Sequence, residues 1–519
     1  MDLSAMMRSI QRDARELSRE VSFETYLDMV RRDRRLTRMS HELIHDMIVG
    51  GGMTPGPGGA PQFDLFRDRL FGVDRAISQV VEYFAGAARR LEVRKRILLL
   101  IGPPGSGKST LVNTIKEGLE DYTQTASGAV YAIKGCPVYE SPLHLIPRKR
   151  RGALRGIYVE GELCPYCGWL VRNVYKHDVT RVPVQRFSFS VSQGIGIGTY
   201  VATDPGSEDL SRLVVVRMGY PLAVRDEVRV YEKMIADSGL KKTQLSPLAL
   251  PAAATFAILT RLAPASGGWT LTKKLHYYDG RFVQGVRPGD IDAMVEGAQA
   301  DGTFGFSPRY VMNQLSGELS SGRGCLTGGA ILEALWEGLT QRAGFGEGDR
   351  EAATDVFAAA SAEYDELVKR AIRRALVPGF LRQAQTRARN ALKDLESWNK
   401  SGSGDLDAFR PLERSLDVPY FKRDDVRREL LLQLRAGDSE QLYTADPRVE
   451  EAIERALLPT WSEASSPIAS EKSGVRTKLR NTLVADWGFP EACAEDVIEH
   501  ALRLAGPEGE RRGILSRRG

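Results

Sequence analysis

The sequence predicts an α/β unit in its first half and a mostly helical remainder. Three observations predict this. The apolar run "ILLLI" at 97–101 reads as a buried strand and opens directly into the glycine-rich stretch "GPPGSGKST" at 102–110. Behind that stretch, "TLVNTIKEGLEDY" repeats its apolar residues at helical spacing, which completes a strand–loop–helix unit. From "DEVRVYEKMIADSGL" at 226–240 onward, the periodicity is helical almost throughout.

Taken in order, residues 1–48 alternate apolar and charged positions at helical spacing and stop at "GGGMTPGPGGAP", a loop or linker. The run "DRAISQVVEYFAGAARRLEVRK" is an amphipathic helix that leads into the strand at 97–101. "GAVYAIKG" reads as a short strand. Residues 136–213 are turn-rich, and "LVVVRMGY" at 213–220 reads as a buried strand. "SPRYVMNQLSGEL" and "GGAILEALWEGL" are helices, 350–395 forms long helices, "SGSGDLD" at 401–407 is a break, and 408–519 is a last helical module.

The glycine-rich stretch carries the chemistry. Gly102, Gly105 and Gly107 let successive backbone N–H groups turn toward one point, and the following helix adds its positive N-terminal end. Pro103, Pro104, Ser106 and Thr110 complete the loop, Lys108 brings a charge to the β and γ phosphates, and Ser109 offers a hydroxyl to Mg²⁺. These residues predict ATP and Mg²⁺ as cofactors. Hydrolysis also needs a carboxylate at the end of a neighbouring strand. The expected apolar run ending in an acid is missing, and "RGIYVEGEL" offers only Glu160, with Glu162 beside it.

Composition bounds the partners. The 519 residues are 42% hydrophobic, and 72 Lys plus Arg against 67 Asp plus Glu leave a net charge of +5, which argues against a dedicated nucleic-acid binder. The basic run "RKRRGALR" at 148–155 reads as a solvated loop. The charged N-terminus has no signal-peptide core, no window approaches 18 uninterrupted apolar residues, and five cysteines, an odd number, argue against a disulfide framework. The expectation is a reduced, cytoplasmic protein without a membrane partner.

Six ordered stretches are more specific: "FGVDRAISQVVEYFAGAARRLEVRKRILLLIGPPGSGKSTLVNTIKEGLE", "CPVYESPLHLIP", "GELCPYCGWL", "GIGIGTYVATDPGSEDLS", "YPLAVRDEVRVYEKMI" and "DGTFGFSPRYVMNQLS". Together they resemble the bacterial PrkA-type serine protein kinases, from about residue 20 to the C-terminus. The resemblance implies an AAA+ core, a helical lid and a kinase-like C-terminal region acting on protein serines during stress, stationary phase or sporulation, and a homo-oligomeric ring. It implies a division into 1–62, an N-terminal helical segment and linker; 63–240, the AAA+ domain with a cysteine-containing insert; 241–345, the lid; and 346–519, the C-terminal region. "GFSPRYV" resembles a sensor-2 element, which gives Arg309 a role at the γ-phosphate, and Arg212 stands where an arginine finger for a neighbouring subunit is expected. One departure matters. In the family, several tens of residues carrying the Walker B acid and the sensor-1 asparagine separate the "DPGSEDLS" and "YPLAVRDEV" motifs, whereas here these are almost contiguous.

Weaker signals remain. Cys164 and Cys167 form C-x-x-C with zinc-knuckle flanks, and Cys136, His144 and His177 are the nearby residues that could complete a Zn²⁺ site; a redox pair and plain turn packing are the alternatives. "VYAIK" ending at Lys134 and "GIGIG" echo eukaryotic kinase motifs, but the order is wrong and no "HRD" or "DFG" follows. Trp398, Trp461 and Trp487 read as helix-packing core and His500 as a helix-face residue. Two functions besides the kinase fit the loop and lid: an AAA+ ATPase that remodels or helps degrade proteins, and a nucleotide-dependent scaffold.

Overall fold

The computed structural model describes residues 6–7, 11, 14–56, 60–154, 156–190, 212–238, 245–264, 269–281, 283, 294, 298–320, 325–340, 347–402, 406–416, 422–437, 440–469 and 473–506. The "GIGIGTYVATDPGSEDLS" motif lies outside them.

Strand β1 (Glu20–Ser22) runs into helix α1 (Phe23–Arg32), where the Ser22 hydroxyl caps the Thr25 N–H and Phe23, Tyr26 and Val30 form one buried face. Helix α2 (Ser40–Gly50) follows. The Gly/Pro cluster is not a bare linker: β2 (Met53–Pro55) and β3 (Pro61–Phe63) pair antiparallel across it. Helix α3 (Asp74–Ala88) buries Ile77, Val80, Val81 and Phe84 and leads to β4 (Ile97–Ile101) and α4 (Lys108–Gln124). Next come β5 (Val130–Ile133), α5 (Pro165–Trp169), β6 (Pro183–Phe187) and β7 (Leu213–Arg217).

Two sheets divide these strands. β4 and β7 pair in parallel, with Ile97 opposite Leu213 and Ile101 opposite Arg217, over a core contributed by α2, α3 and α4. β1, β6 and β5 form an antiparallel sheet over a second core, made of α1 and the cysteine-containing segment. Although β5 follows α4 in sequence, it therefore does not extend the β4 sheet. Among the described residues β4 is paired on one side only, and Ile97 at its start is 65% exposed.

The helical remainder comprises α6 (Val224–Ala236), α7 (Ala249–Leu259), α8 (Leu271–Tyr278), α9 (Pro308–Ser320), α10 (Gly328–Thr340), α11 (Glu347–Leu376), α12 (Phe380–Ser401), α13 (Arg410–Ser415), α14 (Arg423–Ala436), α15 (Pro447–Leu457), α16 (Trp461–Ala469), α17 (Ser473–Trp487) and α18 (Glu491–Ala505). Apolar on every side, α7 is fully enclosed by its neighbours. The helices after residue 408 do not form one module. α13–α15 pack with α12, whereas α16–α18 return to the core built by α6–α11. Trp398 is buried in the first of these cores, Trp461 packs against the second, and Trp487 touches both.

Two expectations about single residues are corrected. Cys325, just ahead of α10, and Cys493 on α18 form a disulfide with their Cα atoms 5.7 Å apart. An odd cysteine count excludes a complete framework but not one bond between residues 168 apart in sequence. His500 is not a plain helix-face residue but is buried, with Nε2 2.6 Å from Asp365 Oδ1 on α11. No helix among the described residues is long and apolar enough to cross a membrane.

Candidate nucleotide site and cysteine cluster

Backbone crowding explains the glycines that matter most. A Cβ on Gly102 would lie 1.9 Å from the Met218 carbonyl oxygen, just past β7, so only glycine lets the loop leave β4 there. Gly107 has φ +89° and caps the N-terminus of α4, a conformation that frees the first helical N–H groups to face the loop. Lys108 Nζ lies across the loop and donates to the Gly102 and Pro103 carbonyls at 2.8 and 2.7 Å. Burial lowers the pKa of this ammonium. Ser106 is buried and Ser109 exposed. The cradle, the lysine and the helix N-terminus fit a nucleotide triphosphate, and the Ser109 hydroxyl fits its magnesium ion. Such an ion would supply charge neutralisation at the phosphates.

Residues after β7 and at the start of α9 stand next to this loop. The Tyr220 hydroxyl donates to the Pro104 carbonyl at 2.7 Å, and a Cβ on Gly105 would meet the Cβ of Ser307 at 3.6 Å. Ser307 is the cap of α9, accepting the Tyr310 N–H, with Pro308 in the first turn. Arg309 follows at the solvent-exposed start of the same helix, two residues from the loop contact. Behind Tyr220 stands Arg261, fully buried, with its guanidinium carbon 4.6 Å from the centre of the tyrosine ring. Arg261 makes two bonds to Glu227 on α6 at 2.8 and 2.5 Å and donates to the Phe306 and Pro221 carbonyls. None of Tyr220, Glu227, Arg261 or Ser307 stood out as a site residue in the sequence. For Tyr220, Glu227 and Ser307 the only signal was their membership of the "YPLAVRDEV" and "GFSPRYV" stretches, and Arg261 belongs to neither.

Other candidates lie elsewhere. Glu160 pairs with Arg94, three residues before β4, so it sits at the opposite end of that strand from the loop, roughly 15 Å away by strand rise. Glu162 is exposed and 3.8 Å from Arg148. Arg212 is exposed at the start of β7, level with Ile97, and so is also remote from its own loop. Among the described residues, no strand beside β4 brings a carboxylate to the loop. Lys134 belongs to the other sheet and pairs with Glu20.

The cysteines do converge. One ligand atom each from Cys136, Glu140, Cys164 and Cys167 lies within 4.8 Å of the others. Cys164 caps α5 and accepts the Cys167 N–H, while Cys136 lies in the turn after β5 and accepts the Glu140 N–H, both at 3.4 Å. His144 stands behind Glu140, its Nδ1 2.5 Å from one carboxylate oxygen and its Nε2 2.6 Å from the Glu160 carbonyl. His177 is exposed and is not part of this group. The fourth member, Glu140, is not legible from the C-x-x-C spacing, which points to cysteines and histidines as its partners.

Comparison with known proteins identifies the family. A model described as the PrkA AAA domain matches residues 21–216 and 210–267, and one described as the PrkA serine protein kinase C-terminal domain matches 272–500. The chain belongs to the PrkA family. The two pieces of the AAA match meet at 210–216, where the motifs are contiguous. PrkA of Bacillus subtilis, named an ATP-dependent protease, is 28% identical over 629 aligned positions, covering 97% of this chain and 100% of that one. That alignment is longer than this chain's 519 residues, so the Bacillus PrkA carries residues with no counterpart here. The Escherichia coli K12 protein named serine/threonine kinase YeaG is 29% identical over 172 residues, 30% of this chain and 24% of its own. A Lon protease of Rickettsia conorii is 45% identical over 67 residues, 13% of this chain and 8% of its own. No solved structure matches significantly. The PrkA family assignment carries with it an AAA domain, of a class that uses ATP and Mg²⁺, and a helical C-terminal region.

Proposed function

We propose that this PrkA-family chain uses Mg·ATP, bound by residues 102–110, to drive a conformational change of its lid that acts on protein substrates, as an AAA+ enzyme that remodels proteins or prepares them for degradation. The observation that carries this reading is the hydrogen bond from Tyr220 to the Pro104 carbonyl, together with Ser307, at the start of α9, standing beside Gly105 of the loop. A phosphate chain seated in the loop would press on both, and Arg309 is set beside it to respond. Arg212, remote from its own loop, suits a role on the nucleotide of a neighbouring copy in a cytoplasmic homo-oligomeric ring. The division at residues 62, 240 and 345 belongs to the same reading.

A second reading, transfer of the γ-phosphoryl group to protein serine in stress or sporulation signalling, is favoured by the matching C-terminal domain description and by the kinase name of YeaG. The two separate on the fate of label. With γ-labelled ATP, the first reading expects phosphate release stimulated by unfolded casein, and the second expects label on casein serine. Tight ATP binding with neither outcome would refute both and leave a nucleotide-dependent scaffold.

A further inference from the structure

The segment between β5 and β6 folds around a small core. Among the described residues it has eleven buried members, including Phe23, Tyr26 and Val30 of α1 and both Cys136 and Cys167, with partly buried side chains, Cys164 included, packed around them. So small a core commonly depends on a cross-link or a metal. The three sulfurs here are not joined as a disulfide: Cys136 Sγ and Cys164 Sγ are 3.8 Å apart, well beyond the ~2.05 Å of an S–S bond.

That separation has a different meaning in a metal site. Zinc–sulfur bonds of about 2.3 Å at the tetrahedral angle place two sulfurs about 3.8 Å apart. The surroundings also orient the sulfurs. Backbone N–H groups of Glu140 and Cys167 point at Cys136 Sγ and Cys164 Sγ, which fixes the direction of both sulfurs toward the centre of the cluster. Glu140 brings a fourth anionic donor, its side chain 8% exposed and its oxygens held by the Cys164 N–H and by His144. Because both ring nitrogens of His144 face acceptors, this histidine orients the carboxylate rather than serving as a ligand. Three sulfurs and one carboxylate thus converge from two segments on one point, the number and type of donors that a tetrahedral zinc ion takes.

We infer that Cys136, Cys164, Cys167 and Glu140 hold a structural zinc ion that staples the turn after β5 to helix α5, with His144 positioning Glu140. All four positions are taken by protein, so the site is closed and its role is structural. By fastening the insert, the ion completes the core on which α1 rests, and it stabilises that core independently of nucleotide.

Metal analysis of the full chain, expressed and purified without chelator under reducing conditions, tests this directly. The expected result is about one zinc per chain, falling at least tenfold in Cys164→Ser and unchanged in His177→Asn. His144→Ala should bind zinc roughly 10- to 100-fold more weakly in competition with a chromophoric chelator. Titrating metal-stripped wild type with Co²⁺ does not depend on any variant folding. Sulfur-to-cobalt charge-transfer absorption and intense tetrahedral d–d bands are expected. A wild-type content near zero after reconstitution, an octahedral cobalt spectrum, or zinc retention by Cys164→Ser would each overturn the assignment.

Discussion

Removing the charge of Glu227 should loosen the core built by α6–α11 and, through it, the nucleotide loop. Arg261 has no exposed surface, and its guanidinium is neutralised by the Glu227 carboxylate alone among the partners described, the others being the Phe306 and Pro221 carbonyls and the face of Tyr220. Glu227→Gln keeps the shape and leaves a buried cation with only neutral partners, a change that costs about 3–5 kcal/mol in comparable pairs. For a cooperative unit of roughly 150–250 residues, each kcal/mol lowers the melting temperature by about 2–4 °C, so a fall of roughly 6–20 °C is expected in the transition of the α6–α11 core. Scanning fluorimetry measures it. Glu227→Leu combined with Arg261→Met removes both charges and should recover part of the loss, because an apolar pair of similar volume often replaces a buried ion pair at little cost. ATP affinity should fall with Glu227→Gln, since Tyr220 rests on Arg261 and donates to Pro104. A melting temperature within 1 °C of wild type, or a double variant less stable than the single one, would refute this account.

Lys108→Ala should weaken ATP binding at least tenfold, about 1.4 kcal/mol, and equal affinities by calorimetry would rule out the loop as the phosphate site. The chain should bind Mg·ATP yet turn it over at least roughly a hundredfold more slowly than a PrkA that retains the intervening segment, since among the described residues no strand carboxylate stands at the loop to orient the metal and attacking group; comparable steady-state rates would contradict this. Burial raises the carboxyl of Asp226, on α6 beside Gly72, to about 6. The folded state thus holds this proton more tightly than the unfolded chain, whose value is near 3.9. The associated stability is full below about pH 4 and lost as pH rises through 6. Asp226→Asn should therefore gain stability over wild type as pH increases, on the order of 2 kcal/mol at pH 7.5 after allowance for partial solvent access, and a pH-independent difference would count against the shift.

What could be read in advance follows the range of the interactions. The 102–110 loop is a local motif whose neighbours in sequence are its neighbours in space, so the strand before it and the helix after it were both legible. Helix spans such as α4, α9 and α10 were legible for the same reason, because their periodicity is carried within each segment. Glu227 and Arg261 were not. A charged residue on an otherwise amphipathic helix reads as solvent-facing, and only packing across 34 positions buries this pair. Cys325 and Cys493 illustrate the same limit over 168 positions. Glu140 was within reach, four residues after Cys136, but carboxylates are so common on surfaces that position alone does not distinguish a ligand. The shortened segment was visible first as two motifs brought too close together, and among the described residues β4 is paired on one side only.

The return of α16–α18 to the core of α6–α11 has a consequence for how the protein is made. A ribosome delivers Val497, Ile498 and Ala501 of α18 more than a hundred residues after α11, the helix they cover. Until then the emerging polypeptide carries an apolar face on α11 with nothing to cover it, the kind of surface that chaperones bind and that aggregates when unprotected. A version terminating after residue 460 should therefore be insoluble despite an intact nucleotide loop, and a separately expressed 461–506 fragment should rescue it when the two are synthesised together.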